Sequence, residues 1–287
     1  MGNISSHFKN KKSTIKKIPK FDQIESEQER QEKILSYLSS NDFDSIDRLH
    51  MYHFLKRYIF QNNFSSPIED KLIKGECKVL DARSGTGTWL LDLSNKYENS
   101  YFFGVENIPL YPQEIKPNNL EFIDADVTKG LSFHDNEFDF THLENMGLVL
   151  TPDQWDFVLS ELIRVTKPGG YIEVSDRRNS NNGEGPILRK VSEAYSKFEL
   201  QPNIGKVHRI EKDLIMGPNG GKAGLVMQDI SISFYASELA VKSLSKEIGI
   251  SEEEYKNMAE KDLIEEYKQT SPVITHVRFW AQKQLSQ

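Results

Sequence analysis

Residues 77–94 read CKVLDARSGTGTWLLDLS. A short apolar run, Val79-Leu80, ends on an acid, Asp81. A tight glycine turn follows at Gly85-Thr86-Gly87, and Trp89, Leu90, Leu91 and Leu93 then recur with helical spacing. Strand, glycine loop and helix in that order open a nucleotide-binding α/β unit. The glycines let the backbone approach a ligand that a Cβ would push away. A Gly-x-Gly is a weak signal alone, so the decision passes to the sequence on either side.

Downstream the alternation continues. Tyr101–Val105 reads as a strand ending on Glu106, and residues 107–119, with Pro109, Pro112 and Pro117, read as loop. Leu120–Asp124 is a third strand, with Asp126 just past it, and Phe138–His142 a fourth. The next helix has clear caps: Thr151 as N-cap, Pro152 in the first position and Asp153 complementing the dipole. Trp155, Val158, Leu159, Leu162 and Ile163 form its apolar face, Lys167-Pro168-Gly169-Gly170 stops it, and Tyr171–Ser175 is a fifth strand. This alternation predicts a parallel sheet with helices on both faces. Beyond a polar loop at 176–185, the pattern predicts a helix at about 186–200, a sixth strand at Val226–Tyr235, helices over about 237–268 and a last strand at Val273–Lys283. Gly217–Gly224, GPNGGKAG, lacks the first glycine and the Ser or Thr of a phosphate loop, having Met216 and Ala223 there, and is read as a turn.

Upstream, Asp44–Phe60 has three-to-four spacing of Ile46, Leu49, Tyr52 or His53, and Lys56 or Ile59, and reads as an amphipathic helix. Lying just before the glycine loop, it is placed to cross the ligand site as a lid, with Arg48 and His53 toward an acceptor. The alternative gives His53 a structural partner instead. The chain thus divides into a disordered basic and polar tail, 1–40, and a domain, 41–287, with a lid helix at 41–66 and an acceptor-side insertion at 176–229.

Charge and composition narrow the function. Of the 36 basic residues, six lysines fall in residues 1–20, which hold no acid; the remainder has 30 basic against 43 acidic residues. A body that acidic is a poor grip for nucleic acid phosphates. The single cysteine, Cys77, and seven histidines without ligand spacing predict no disulfide and no metal. No apolar run approaches the ~20 residues that span a bilayer, and no secretory leader is expected. The start, Met1-Gly2-Asn3-Ile4-Ser5-Ser6, fits the pattern for myristoylation of Gly2. One acyl chain anchors marginally, and the lysines would supply the second signal. Three readings of the tail stay open: a tether making peripheral membrane contact, an unmodified solubilising tail in a cytoplasmic protein, and a nuclear-import tract.

In a parallel sheet the ligand sits beyond the carboxyl ends of the strands, where Asp81, Glu106, Asp126 and the residues after His142 fall. Glu106 lies 19 residues beyond Gly87, where an acid binds ribose hydroxyls. A nicotinamide fold would need Gly where the chain has Leu90. Asp81, four residues before the first glycine, suits a ligand with positive charge near the loop, and S-adenosylmethionine, with its sulfonium and ammonium, is one.

VLDARSGTG, GVE, FIDADVTKGLSF, FDFTHLEN and ELIRVTKPGGYIEV, in this order, resemble the successive motifs of class I S-adenosylmethionine-dependent methyltransferases. DRLHMYHFLKRYIF upstream and VRFWAQK at the end resemble the fungal branch that includes regulators of secondary metabolism. The resemblance covers roughly residues 44–283. It implies a Rossmann-like sheet, mostly parallel with the last strand antiparallel. It implies that Asp81, Gly85 and Gly87, with Arg83 in the same loop, cradle the methionine part. Glu106 and Asn107 would hold the ribose, Asp126 and Val127 the adenine, and His142 and Leu143 the methyl end. A proton acceptor, where the acceptor substrate needs one, would be His142, Glu144 or His53. Two departures stand out: Arg83 replaces a loop glycine, and Glu144-Asn145 sits where the branch often has a basic residue. The resemblance implies a methyltransferase acting on a small molecule or protein; Arg83 motivates the alternative of a catalytically silent regulatory fold.

Overall fold

A computed structural model of the chain describes residues 43–147, 149–179, 198–201 and 203–285. Seven strands form one sheet: β1 (Lys78–Asp81), β2 (Tyr101–Glu106), β3 (Leu120–Asp124), β4 (Phe138–Glu144), β5 (Thr166–Asn179), β6 (His208–Ile215) and β7 (Val273–Gln282). Their order is β3-β2-β1-β4-β5-β7-β6. β1 to β5 are mutually parallel, and β7 runs antiparallel to both β5 and β6. The chain walks outward from β1 to β3 and then returns to β4 on the other side of β1. The switch point, where such sheets bind ligands, therefore lies beyond the carboxyl ends of β1 and β4.

Eight helices surround the sheet: α1 (Phe43–Phe60), α2 (Glu69–Lys74), α3 (Thr88–Lys96), α4 (Pro152–Val165), α5 (Gly221–Tyr235), α6 (Glu238–Ile248), α7 (Glu252–Asn257) and α8 (Leu263–Thr270), among the described residues. On one face, Leu80, Leu143, Ile172 and Val174 pack against Val158, Leu159 and Leu162 of α4. On the other, Val79 and Phe140 pack against Trp89, Leu90 and Leu93 of α3. Both faces of β1 are thus dry, which is why Val79 and Leu80 are consecutive apolar residues rather than alternating ones. α4 begins as its sequence requires. Thr151 and Gln154 form a reciprocal capping box with Pro152 behind it, a cap stabilising by about 1 kcal/mol.

Toward the carboxyl ends the α3 face turns polar. Asp81 is in register with His142, and His142 with Glu173; Glu144, Ser175 and Arg278 share the next row; Arg177 and His276 share the one after. A two-residue period keeps these rows on one face. α1 covers them, and its own burial reflects what lies beneath. Arg48, His53 and Lys56 are buried, whereas Phe54 is 54% and Tyr58 65% exposed. The expected amphipathic stripe is therefore partly inverted, because α1 roofs polar side chains, not an oily core. Its apolar contacts are lateral, with Tyr52 and Leu55 meeting Met227 and Ile230 of α5.

Three strand and helix expectations are corrected. Val226–Tyr235 is helix, within α5, and not a sixth strand. Its Ile-Ser-Ile-Ser alternation imitates a strand, but the buried positions Gly224, Met227, Gln228 and Ser231 follow a helical step against α1. The sixth strand is His208–Ile215, where only Leu214 is buried; it is held by the β7 ladder. β5 starts at Thr166, so Lys167–Gly170 lies inside the strand, at a register irregularity between Phe138 and Phe140 of β4. The helix expected near 186–200 and the tail 1–40 lie almost wholly or wholly outside the described residues. The span 176–229 holds, among those residues, β6 and the start of α5.

Candidate active site

A cleft opens at the switch point. Asp81, Arg83, Gly85 and Glu106 line it from the sheet side, Leu49, Tyr52, His53 and Lys56 from α1, and Thr86, Thr88, Trp89, Leu110, Glu144 and Asn145 around the rim.

The glycine turn is stitched to both neighbouring strands. The Ala82 amide donates to the His142 carbonyl at 2.9 Å and the Ser84 amide to the Val105 carbonyl at 2.9 Å. The left-handed bends fall at Gly85 (φ 54°) and Gly87 (φ 73°), and Arg83 is not among the positive-φ residues. Arginine is accommodated there without backbone strain; Arg83 is half-buried on the cleft wall. The two glycines serve different ends. A Cβ at Gly87 would stand 2.5 Å from the Phe122 ring, so its absence allows the turn to pack on β3. A Cβ at Gly85 would meet nothing within 4 Å. There the bare backbone leaves cleft space that a side chain would fill.

Glu106, 3% exposed at the tip of β2, fixes this turn. Its Oε2 accepts from the Gly85 amide at 2.7 Å and its Oε1 from the Asn107 amide at 3.0 Å and the Ile108 amide at 3.4 Å. A carboxylate offers about four lone-pair sites, so three backbone bonds leave room for a ligand hydroxyl. Asp81, also 3% exposed, lies 3.2 Å from His142 Nδ1. The other ring nitrogen, Nε2, lies 3.9 Å from Glu144 Oε2, and Trp89 stacks on the ring at 4.2 Å. Glu144 in turn is ion-paired with Lys56 of α1. Burial pushes the Lys56 ammonium well below the usual lysine range, with Arg278 and Arg177 adding repulsion and Asp81 opposing it.

His53 has a structural partner: Asp92 of α3 at 3.4 Å, which also takes two bonds from Arg57 and one from Asn63. Burial lowers the His53 pKa, with the Asp92 bond opposing. For Asp92 burial acts upward but the bonds from His53, Asn63 and Arg57 outweigh it, leaving a lowered pKa. Arg48 turns to the Phe234 ring of α5, 5.5 Å away, and not to the cleft.

Gly87, Asn107, Asp126, Val127, His142 and Leu143 are not among the residues lining this cleft. Asn107 is exposed. Asp126 caps a short 3₁₀ turn through Thr128 and lies 3.4 Å from Lys129. Val127 and Leu143 belong to the core under α4, since residues one step from His142 point to the other face. The residues missed from sequence are Tyr52 and Lys56. Their signal was the i, i+4 step from Arg48, which puts polar groups on one helix stripe.

Residues 79–170 match the family described as "Methyltransferase domain". The match runs from β1 into β5 and takes in the glycine turn and the strand tips that frame the cleft. Among relatives, the chain is 26% identical over 172 residues to N-methyltransferase verN of Clonostachys rogersoniana, covering 56% of this chain and 59% of that protein. It is 32% identical over 145 residues to secondary metabolism regulator laeA of Aspergillus niger, covering 48% of this chain and 37% of that one. These matches thus span less than two thirds of either relative. A crystal structure from Anabaena variabilis, described as a methyltransferase from an antibiotic biosynthesis pathway, superposes with a TM-score of 0.50 over 74% of this chain and 94% of that one, at 12% identity. That likeness concerns the fold.

The cleft fits S-adenosylmethionine on three counts: an open Gly85, a buried acid, Glu106, with a free acceptor site for a hydroxyl, and a carboxylate, Asp81, facing a positive end. No cluster of potential metal ligands and no helix long and apolar enough to cross a membrane occur among the described residues.

Proposed function

We propose that the chain transfers the methyl group of S-adenosylmethionine to a small-molecule or protein acceptor at the cleft between β1 and β4. The observation that carries this reading is the Glu106 carboxylate, buried at a strand tip, bonded to the Gly85 amide, and lining the same cleft as Asp81. Glu106 would accept from the ribose hydroxyls, with Asn107 beside it, and Asp81 and the Gly85–Gly87 backbone would hold the methionine end. Asp126 and Val127 are proposed for the adenine end. The bound cofactor supplies a methyl group on a sulfonium, already a good leaving group. The protein's task is then alignment, which can account for much of the rate. Of the three candidates to take a proton where the acceptor carries one, His53 and Glu144 line the cleft, engaged by Asp92 and Lys56, whereas His142 is buried between Asp81 and Glu144 beneath Trp89.

Calorimetric titration with S-adenosylmethionine, followed by transfer from methyl-labelled cofactor to candidate acceptors, tests this. Saturable binding and label transfer are expected; no binding at millimolar cofactor removes the reading.

A second reading has an observation behind it. Arg83 puts a cation on the wall of a cleft meant for a cationic ligand, and the relative from Aspergillus niger is named a regulator. Cofactor binding without transfer to any acceptor would select a regulatory binding protein. Tethering through Gly2 is proposed separately, and mass spectrometry of the N-terminus in eukaryotic cells decides it: an unmodified Gly2 ends it.

A further inference from the structure

Beneath α1, past the Lys56–Glu144 pair, polar groups gather with little to satisfy them. His276 of β7 is 1% exposed, and neither ring nitrogen has a hydrogen-bond partner among the described residues. The Ser175 hydroxyl, one row along β5, is buried in the same state, and the buried Tyr52 hydroxyl of α1 faces the Arg177 guanidinium. Arg278 Nε likewise lacks a hydrogen-bond partner among the described residues. Arg278 lies over the Phe60 ring at 4.0 Å and donates from Nη1 to the Asn62 carbonyl. Glu173, 3.8 Å from that Nε, is already engaged by the Ser65 and Ser66 amides and the Ser66 hydroxyl.

Arg177 completes the group. It is the register partner of His276, its guanidinium lies 5.1 Å from the Tyr52 ring, and its charge acts on the neighbouring Asp176 carboxyl. The adjacent Asp176 is engaged by two backbone amides, those of Gly147 and Arg177. Native interiors leave few buried polar atoms unpaired, and each such atom calls for an explanation. Three such side chains in one place, His276, Ser175 and Arg278, beside Tyr52 and a second arginine, call for a common one.

The chemistry of the set selects the ligand. Arginine only donates, both hydroxyls can donate, and a neutral imidazole donates from one nitrogen. The nearby carboxylates are taken. A planar guanidinium matches the paired oxygens of a carboxylate or phosphate. The setting of His276 agrees: burial drives its pKa down to about 3, and Arg177, Lys56 and Arg278 add to the effect, so the ring is neutral among positive groups. Tyr52 and Lys56 also line the cleft that holds Asp81 and Glu106, so the cluster adjoins the cofactor end.

We propose that Arg177, Arg278, Tyr52, Ser175 and His276 form the subsite for an anionic oxygen group, carboxylate or phosphate, on the methyl acceptor. This rests on the methyltransferase reading above. It narrows the acceptor to a molecule or side chain with such a group near its methylated atom.

Calorimetric titration of the full chain with inorganic phosphate and with acetate reads the subsite, with and without saturating S-adenosylhomocysteine. Saturable millimolar binding of at least one anion is expected, the tighter one identifying the acceptor's group. Binding should weaken at least tenfold in Arg177→Gln and in His276→Phe, while S-adenosylhomocysteine binds both variants within twofold of the unaltered protein. No saturable anion binding, or equal binding by the unaltered protein and both variants, overturns the proposal. A failure of S-adenosylhomocysteine to bind the unaltered protein, with anion binding intact, sinks the cofactor reading and not the anion site. His276→Phe keeps the ring's bulk and removes the unpaired nitrogens, so its urea midpoint at neutral pH should match or exceed that of the parent. A clear fall would mean that the nitrogens are paired within the protein, and would also overturn the proposal.

Discussion

Lys56 of α1 is ion-paired with Glu144 at the tip of β4, the two side chains being 10% and 15% exposed. The pair joins the helix over the cleft to the strand beneath it. It also answers the departure at Glu144-Asn145: the acid found where a base was expected meets its base from another element. Breaking a buried pair strands the remaining charge, a loss of about 3–5 kcal/mol. Lys56→Ala should therefore lower stability by roughly 3 kcal/mol in urea unfolding. The double variant Lys56→Met with Glu144→Leu should recover most of it. Additive losses would show that the two groups are uncoupled.

Cofactor affinity should depend on charge at Glu106 more than on its shape. Glu106→Gln keeps an oxygen for the Gly85 amide but weakens the acceptor for a ligand hydroxyl. A hydrogen bond to a charged group contributes about 1.5–3 kcal/mol, so S-adenosylhomocysteine should bind roughly 10- to 100-fold more weakly by calorimetry. Asp81→Asn should weaken it similarly, and Asp126→Asn tests the proposed adenine contact by the same measurement.

The two loop glycines should separate in their costs. Gly85→Ala meets only the left-handed backbone penalty of roughly 1–2 kcal/mol. Gly87→Ala adds a clash with Phe122, and overpacking costs a further ~1–3 kcal/mol. Thermal unfolding should rank Gly87→Ala well below Gly85→Ala, whereas cofactor binding should suffer in both.

Acid should weaken the fold through His276. The unfolded chain protonates this histidine below the ordinary imidazole value of 6.5, while the native ring stays neutral to about 3. Acidification through that window favours the unfolded state, by about 1.4 kcal/mol per pH unit. Between pH 7.5 and 5.0 the parent should lose about 2 kcal/mol from this group. His276→Phe should lose that much less over the same interval in urea midpoints.

Much of the sheet and half of the cleft were legible in the chain. Asp81, Gly85 and Glu106 stand at strand tips because parallel topology forces strand ends together, so knowing the strands was enough. β6 escaped because an edge strand with one buried side chain writes no apolar period; its hydrogen bonds to β7 hold it, and those are invisible in residue type. α5 was misread because β-branched residues alternate in it by chance of composition, and the α1 contact sets the true period. Lys56, His276 and Arg177 were illegible for a different reason. Their importance comes from which neighbours lack partners, a property of three elements at once.

The placement of β7 between β5 and β6 also bears on how the protein is made. β6 is synthesised well before β7, its sole neighbour in the sheet among the described residues. On the ribosome that edge segment has nothing to pair with, and long-range pairing of this kind is slow. The nascent chain thus exposes an open ladder at β5 until β7 pairs with it and with β6, so closing the sheet waits on the last of its strands.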